Sequence, residues 1–159
     1  MFREMRRKDR LSADETGVEL LNKCVYGVLS VIGDDDYPYG VPVNFAYKDS
    51  CIFVHCFLEG HKIDAIKKNP KVCLTAVGGE EVMKDQISTN YTSVIAFGQA
   101  EVVPPPENSL RDAAFTAIMD KYIPNEQART AAYIKAHEGN TTVIKISIEH
   151  MTCKKRDIR

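Results

Sequence analysis

Short apolar runs separated by polar turns dominate the chain. Six segments are rich in Val, Ile and aromatic side chains: 26–32, 39–47, 51–57, 71–77, 91–103 and 141–148. Gly, Pro and Asp cluster in the turns between the first of these segments, and the last one alternates apolar and polar positions from Ile144 onward. Runs of this length and spacing are typical of strands that follow one another in an antiparallel meander. The pattern therefore predicts about six antiparallel strands.

Helical spacing occupies the intervals between and beside these runs. The expected helices cover about 12–24, 60–68, 107–122 and a last segment that ends near Ala136. The first helix is expected to start at Ser12, which has capping-box spacing to Glu15. Asn69-Pro70 stops the second helix, and Pro124-Asn125 separates the last two. The chain therefore combines a mainly β pattern with flanking helices.

Six antiparallel strands without a second sheet close most easily into a small barrel, because closure removes exposed edges. We therefore expect an α+β, mainly β fold, with residues 1–159 as one domain. Pro42 should mark a bulge or an edge strand, and Gly98 a bend in its long strand. Residues 78–90 are expected to form a polar loop, and 149–159 a polar tail. The prolines at 104–106 should end a strand.

Composition and charge narrow the function. The net charge is −1 over 159 residues, which argues against a general nucleic-acid or membrane-surface binder. No segment has the ~20 apolar residues of a membrane span, and no signal peptide is expected. The five cysteines include no Cys-x-x-Cys pair, so neither a disulfide framework nor a zinc site is expected, and the reduced cytoplasm fits best. The basic residues within 1–10 could contact an anion, but we expect them to form a solvated arm.

The segment Gly60-His61-Lys62 carries the most informative local chemistry. Cationic side chains at the start of a helix oppose its dipole, so their presence there makes sense if an anion binds. Gly60 would let the backbone approach a phosphate, and Lys62 would supply a charge. A plain glycine turn with two solvated side chains explains the same local pattern. We therefore regard a phosphate site here as a hypothesis.

Two other clusters add polar groups to apolar strands. Asn44 and His55 lie in the strands 39–47 and 51–57, beside apolar neighbours suited to the faces of a flat ring. Asn90-Tyr91-Thr92-Ser93 begins a long strand, and alternation places Tyr91 and Ser93 on one face. Taken singly, each of these polar residues could equally be a satisfied barrel residue. The four histidines lack metal-ligand spacing, so no metal site is expected.

Together these motifs resemble the pyridoxamine-phosphate-oxidase-like FMN-binding split barrels, and among them the nitroimidazole-resistance (Nim) branch. The motifs that carry the resemblance lie at 1–8, 33–42, 60–66, 91–98 and 148–152, in the order of the family. The resemblance implies a six-stranded split barrel, a homodimer, and FMN at the subunit interface.

The resemblance also implies the site residues. Val43 and Asn44 would line the isoalloxazine ring, and His55 and Cys56 would lie along the ribityl chain and phosphate. Gly60, His61 and Lys62 would hold the phosphate. Tyr91 and Ser93 would come from the partner subunit, and the basic segment after Met151, especially Lys154, would close the site. No catalytic residue is identified, although His55 or His61 could tune the flavin or supply a proton.

Three functions remain open at this stage. The first is an FMN-dependent reductase that passes electrons from NADH or NADPH to a nitroaromatic or quinone-like acceptor. The second is a non-catalytic module that stores or senses a flavin or haem. The third is a structural dimer with a degenerate pocket. The colour of the purified protein and a turnover assay separate them.

Overall fold

The computed structural model describes residues 2–105, 109–137 and 139–158. Its elements follow in the order β1 (Leu11–Ser12), α1 (Asp14–Lys23), β2 (Gly27–Ile32), β3 (Pro38–Val43), β4 (Ala46–Lys48), β5 (Cys51–Phe57), α2 (His61–Lys68), β6 (Lys71–Met83), β7 (Ser88–Val103), α3 (Ser109–Tyr122), α4 (Gln127–Ala136) and β8 (Thr141–Arg156). The predicted start of the third helix at Glu107, and Pro106, lie outside the described residues. Within those ranges, no helix has the length and hydrophobicity that a membrane crossing requires.

The strands form one antiparallel sheet in the order β3-β2-β6-β7-β8-β5-β4, with β1 paired to β8. In a flat sheet, the two end strands of this seven-strand path would lie about 29 Å apart. However, β3 ends at Val43 and β4 begins at Ala46. The chain between these two residues can span at most about 11 Å. The sheet must therefore roll up until its ends meet. This geometry is the predicted split barrel.

The barrel interior holds the main hydrophobic core. Fully buried side chains from several strands meet there, among them Leu29, Leu74 and Ile146, and Phe45 lies with them. A second, smaller core lies on the other side of β5, where Phe115 and Ile118 of α3 pack against Phe53 and Val143. Since β5 separates the two cores, both of its faces are covered.

The strand pattern was predicted well in kind but not in extent. The described residues form eight strands rather than six, because the predicted strand 39–47 divides into β3 and β4 and a short β1 is added. The predicted polar loop 78–90 is wrong: β6 continues to Met83 and β7 starts at Ser88, so only a short turn remains. The predicted polar tail is also strand, since β8 continues to Arg156 as a partner of β7.

The prediction that Pro42 marks an edge strand is confirmed, and the bend expected at Gly98 coincides with an irregularity in the β7–β8 ladder. Pro42 lies in β3, at one end of the sheet, where no further strand requires its missing N–H group. The β7–β8 register shifts between Phe97 and Gly98. A Cβ atom at Gly98 would lie 2.2 Å from the carbonyl oxygen of Ser147, so only glycine allows this close approach.

The predicted capping box of the first helix does not form. The residue before α1 is Ala13, and no side chain caps the helix start. Ser12 instead belongs to β1 and pairs with Cys153. Strand pairing with β8 therefore takes the backbone of Ser12 out of the position that a cap requires.

Candidate functional site

A seam lies in the barrel wall where the two ends of the sheet meet, between β3 on one side and β4 with its partner β5 on the other. The β4–β5 ladder pairs Lys48 with Cys51 and ends at Ala46 and Phe53. Continued at the same register, it would set Asn44 opposite His55, but no such pair occurs in the described residues. On the N-terminal side of Ala46, the chain that leads from β3 into β4 therefore diverges from β5. Their backbone N–H and C=O groups are left without a strand partner along this seam.

Val43 and Asn44 lie on one edge of the seam. Val43 ends β3, pairs with Gly27, and turns its side chain into the barrel core. The exposed side chain of Asn44 donates a hydrogen bond from Nδ2 to the carbonyl oxygen of Val25, at 2.8 Å. The contact fixes the backbone of the seam where β3 ends.

His55 and Cys56 lie on the opposite edge, near the end of β5. The ring of His55 lies 6.0 Å from the ring of Phe115, and burial lowers the pKa of this imidazole. Its Nδ1 atom is buried and has no hydrogen-bond partner in the described part of the chain. Cys56 points to the other side, against the main core, and burial raises the pKa of its thiol. The imidazole therefore carries a buried, unsatisfied polar atom on the α3 side of β5.

The start of α2 continues this edge. Gly60 has φ +137°, a conformation that favours glycine, and the space above its Cα atom is open to 4 Å. No side chain caps the helix. The N–H groups of Ile63 and Asp64 donate to the carbonyl oxygen of Gly60, which leaves those of His61 and Lys62 at the helix start for a ligand. Lys62 is half-buried, and its charge acts on the thiol of Cys56. Gly60 and Lys62 thus offer the open backbone and the cation of an anion site.

His61 is engaged differently from Lys62. Its ring stacks on Tyr39 of β3 at 4.3 Å, across the seam, and its Nε2 lies 3.6 Å from Oδ2 of Asp34. Asp34 also accepts a hydrogen bond from Lys68. The imidazole therefore joins β3 to α2 and has the carboxylate of Asp34 beside it. Lys62, by contrast, forms no salt bridge with a carboxylate in the described part of the chain.

Tyr91, Ser93 and Lys154 form a second group. Lys154 of β8 pairs with Ser93 of β7, and its Nζ lies 5.3 Å from the centroid of the Tyr91 ring. A hydrogen-bond interaction with Lys154, and a weaker one with Arg10, lower the pKa of the Tyr91 phenol. The alternation expected from the sequence holds: Tyr91 and Ser93 share the outer face of β7.

The two groups lie far apart within one chain. β5 pairs with the first part of β8, where His55 faces Val143, whereas Ser93 faces Lys154 near the end of β8. Eleven residues of strand separate these positions, about 36 Å along β8. One subunit therefore does not bring the residues at the start of α2 together with Tyr91, Ser93 and Lys154.

Three features of this region were not predicted. The first is Arg10, which was expected to be solvated but reaches Tyr91. The second is the end of α3. The hydroxyl of Tyr122 accepts from the N–H of Phe45 at 3.0 Å and donates to Val25 O at 2.6 Å, while Lys121 Nζ donates to Phe45 O at 2.8 Å. These contacts hold the seam open, because they take the backbone groups that a longer β-ladder would use.

The third unpredicted feature is the outer face of β2, β6 and β7. It exposes a row of apolar side chains, and beside them lies a groove of about 620 Å³. The exposed row consists of Val28, Ile32, Val77, Ile95 and Phe97. All five residues lie in strands that the sequence predicts, so alternation along those strands could have signalled this face.

Comparison with known proteins identifies the family of this chain. A family profile described as pyridoxamine 5'-phosphate oxidase matches residues 13–155. No match was found among curated proteins. Several solved structures share the fold.

A proposed 5-nitroimidazole antibiotic resistance protein from Bacteroides thetaiotaomicron is 22% identical, with a TM-score of 0.73 over 91% of this chain and 86% of that one. The flavocytochrome Anf3 from Azotobacter vinelandii is 21% identical, with a TM-score of 0.76 over 98% and 73%. An FAD and haem binding protein from Mycobacterium smegmatis is 16% identical, with a TM-score of 0.75 over 95% and 75%.

The structural similarities concern the fold, whereas the profile match covers most of the sequence. The seam, the helix α2 that follows it and strands β2 to β7 fall within the matched residues, as does all of β8 except Arg156. This chain therefore belongs to the pyridoxamine 5'-phosphate oxidase family and has its split-barrel fold.

Proposed function

We propose that this protein binds FMN along the seam and acts as a homodimeric, NADH- or NADPH-dependent reductase of nitroaromatic or quinone-like small molecules. The observation that carries the proposal is the open seam. Its two edges carry Asn44 and His55 in the middle and an uncapped helix start with Lys62 at the end. A planar ring with a phosphate tail needs these parts in this order.

The residues at the seam fit such a ligand. Strand edges without partners supply N–H and C=O groups for the polar rim of a flat ring. The unpartnered Nδ1 of His55 can accept a hydrogen bond, or donate one in the other tautomer. The positive φ of Gly60 and the open space above it allow a phosphate to approach the first N–H groups of α2.

Two observations support the homodimer. The outer face of β2, β6 and β7 exposes a row of apolar side chains, which a second copy would remove from water. The Tyr91 group lies at the other end of the barrel from α2 and faces outward beside this row. A two-fold dimer could bring Tyr91, Ser93 and Lys154 of one subunit to the seam of the other.

The chemistry that FMN supplies when bound is two-electron transfer between a nicotinamide donor and an acceptor. The chain's own residues would bind and orient the ring and exclude water. His55, whose pKa is lowered by burial, is neutral near pH 7 and keeps a nitrogen available for a hydrogen bond. The acceptor class is proposed from the similarity to the nitroimidazole resistance protein. The five free cysteines support a reducing, cytoplasmic location.

An absorbance spectrum and anaerobic stopped-flow kinetics test this function. We expect flavin bands in the purified protein or after FMN is added, bleaching by NADH or NADPH, and reoxidation by a nitroimidazole. If the flavin binds but neither nucleotide bleaches it and the chemically reduced protein does not transfer electrons, the reductase is excluded. A protein with no affinity for FMN would contradict the whole proposal.

A flavin- or haem-binding module without turnover is the second candidate. Imidazole nitrogens are common haem ligands, and both His55 Nδ1 and His150 Nε2 are buried without a partner among the described residues. Two structures with the same fold are a flavocytochrome and an FAD and haem binding protein. A Soret band in the purified protein would favour this candidate.

A further inference from the structure

A cluster of cations surrounds Tyr91 at the end of the β7–β8 ladder. Tyr91 pairs with Arg156, and Ser93 pairs with Lys154, so all four side chains belong to the same outer face of the sheet. The other side of Lys154 pairs with Leu11 of β1. This pairing brings Arg10, the residue before Leu11, to the Tyr91 phenol.

The positive charges of this cluster are only partly compensated. Asp9 is the acidic neighbour, but both of its oxygens accept hydrogen bonds from Arg7, at 2.8 and 2.5 Å. The closest approach of Arg10 to Asp9 is longer, at 3.9 Å. Asp157, which pairs with Lys155, alternates to the opposite face of β8.

Arg156 provides an independent sign that a ligand belongs here. Its Nε atom is buried and has no hydrogen-bond partner in the described ranges. A buried, unsatisfied guanidinium N–H is costly, and the cost is removed if an anionic group binds beside it. Two arginines, a lysine and a phenol hydroxyl match the several oxygens of a phosphate ester.

We propose that Arg10 and Arg156, together with Lys154 and the hydroxyl of Tyr91, form a binding subsite for a phosphate ester. The inference deepens the proposed function, because it adds a second anion-binding group at the opposite end of the barrel from Lys62. The arm at residues 2–12 thereby has a role in binding: its pairing with β8 delivers Arg10 to the subsite.

The phosphate ester could come from two sources. In a homodimer the cluster could reach the phosphate of the flavin held by the partner subunit. Alternatively, it could bind the diphosphate of the nicotinamide donor. Both sources present phosphate oxygens to the cluster. If the flavin is the source, the affinity for FMN depends on Arg10, and if the donor is the source, the affinity for the nicotinamide nucleotide does.

The direct test is titration of the full-length protein with inorganic pyrophosphate, followed by calorimetry. We expect Arg10→Gln and Arg156→Gln each to weaken binding at least about tenfold, the lower end for a charged hydrogen bond. Arg6→Gln is the matched control, since Arg6 is exposed in the same arm, and its affinity should not change. Unchanged binding in Arg10→Gln, or an equal loss in Arg6→Gln, would overturn the subsite.

A second readout does not depend on a ligand. Arg10→Gln should raise the pKa of the Tyr91 phenol, measured by ultraviolet difference titration against Tyr91→Phe, and Arg6→Gln should not. This measurement also covers the case in which Arg156→Gln does not fold. If the pKa of Tyr91 is the same in Arg10→Gln and Arg6→Gln, the proposed contact between Arg10 and Tyr91 is contradicted.

The source is identified by comparing ligands with and without phosphate. If the flavin is the source, Arg10→Gln weakens FMN but not riboflavin. If the donor is the source, FMN affinity is unchanged and the KM for NADPH rises, whereas that for a phosphate-free dihydronicotinamide does not. If the protein binds FMN but Arg10→Gln changes none of these affinities or KM values, only the subsite is refuted. Pyrophosphate binding that needs Arg10, without any flavin binding, refutes only the proposed function.

Discussion

At the residue scale, the candidate site depends on a few polar groups along the seam. His55 stands in an otherwise apolar strand, Asn44 follows the end of β3, and the seam leaves the two residues on facing edges instead of pairing them. Among the described residues no carboxylate pairs with Lys62, although His61 beside it lies near Asp34. Polar groups gathered along one seam, with the unpartnered Nδ1 of His55 among them, indicate a ligand more strongly than any one of them alone.

Lys62→Ala should weaken FMN binding by about 1.5–3 kcal/mol, because a charged hydrogen bond to the phosphate is lost. Riboflavin, which lacks the phosphate, should bind equally well to both proteins. Lys67→Ala is the control, since Lys67 is an exposed cation in the last turn of the same helix. Fluorescence titration gives all of these affinities. Equal losses for the two flavins would show that Lys62 does not contact the phosphate.

His55 should make the protein less stable in mild acid. Burial holds its pKa below the ordinary 6.5, so on acidification the unfolded chain takes up a proton that the folded chain does not. The free energy of unfolding should therefore fall as the pH drops from about 7 through the folded-state pKa. Urea denaturation at several pH values should show a smaller decrease in His55→Gln, but the full decrease in His137→Gln. The idea fails if both variants retain the wild-type slope.

At the element scale, the sequence predicted the kinds of elements but missed contacts between distant segments. The run 39–47 looks like one strand because its apolar pattern is continuous. It divides at Phe45, whose N–H group donates to Tyr122, a residue 77 positions later. The polar residues 149–156 likewise become strand only because β7 pairs with them. By contrast, α2 was predicted at its observed ends, since Gly60 and Asn69-Pro70 are local signals.

The site shows the same division. Gly60, His61 and Lys62 are neighbours in sequence, so local chemistry was enough to single them out. Arg10 was dismissed as a solvated residue because its approach to Tyr91 requires the β1–β8 pairing. Arg156 belongs to the basic segment expected to close the site, but it was not singled out, since only tertiary pairing makes this polar segment into a strand.

The crossing of β7 and β8 should be sensitive to a single methyl group. Gly98→Ala would place its Cβ atom 2.2 Å from a backbone oxygen of Ser147, so the strands must separate. We expect a loss of at least about 1–3 kcal/mol in the free energy of unfolding. Gly139→Ala, where a Cβ atom meets nothing within 4 Å, should cost much less. Similar denaturation midpoints for the two variants would contradict this packing.

At the scale of the whole molecule, the barrel has an exposed apolar face, which the proposed dimer would cover. Ile95 lies near the middle of this face, between Thr75 and Thr152. Ile95→Glu should therefore give a folded monomer that has lost affinity for FMN. Tyr133→Glu, on α4, is the control and should remain dimeric. Light scattering after size-exclusion chromatography distinguishes these outcomes. A wild-type protein that is monomeric with bound FMN would exclude the dimer.

The central claim is that each flavin site combines the seam of one subunit with the Tyr91 group of the other. The most direct measurement is the flavin content after two inactive variants are unfolded, mixed and refolded together. Lys62→Glu and Tyr91→Glu should each lose FMN alone, but their mixed dimer regains one intact site. With random pairing, about a quarter of all sites should bind FMN again. Flavin content that stays at the level of the separate variants would contradict the shared site.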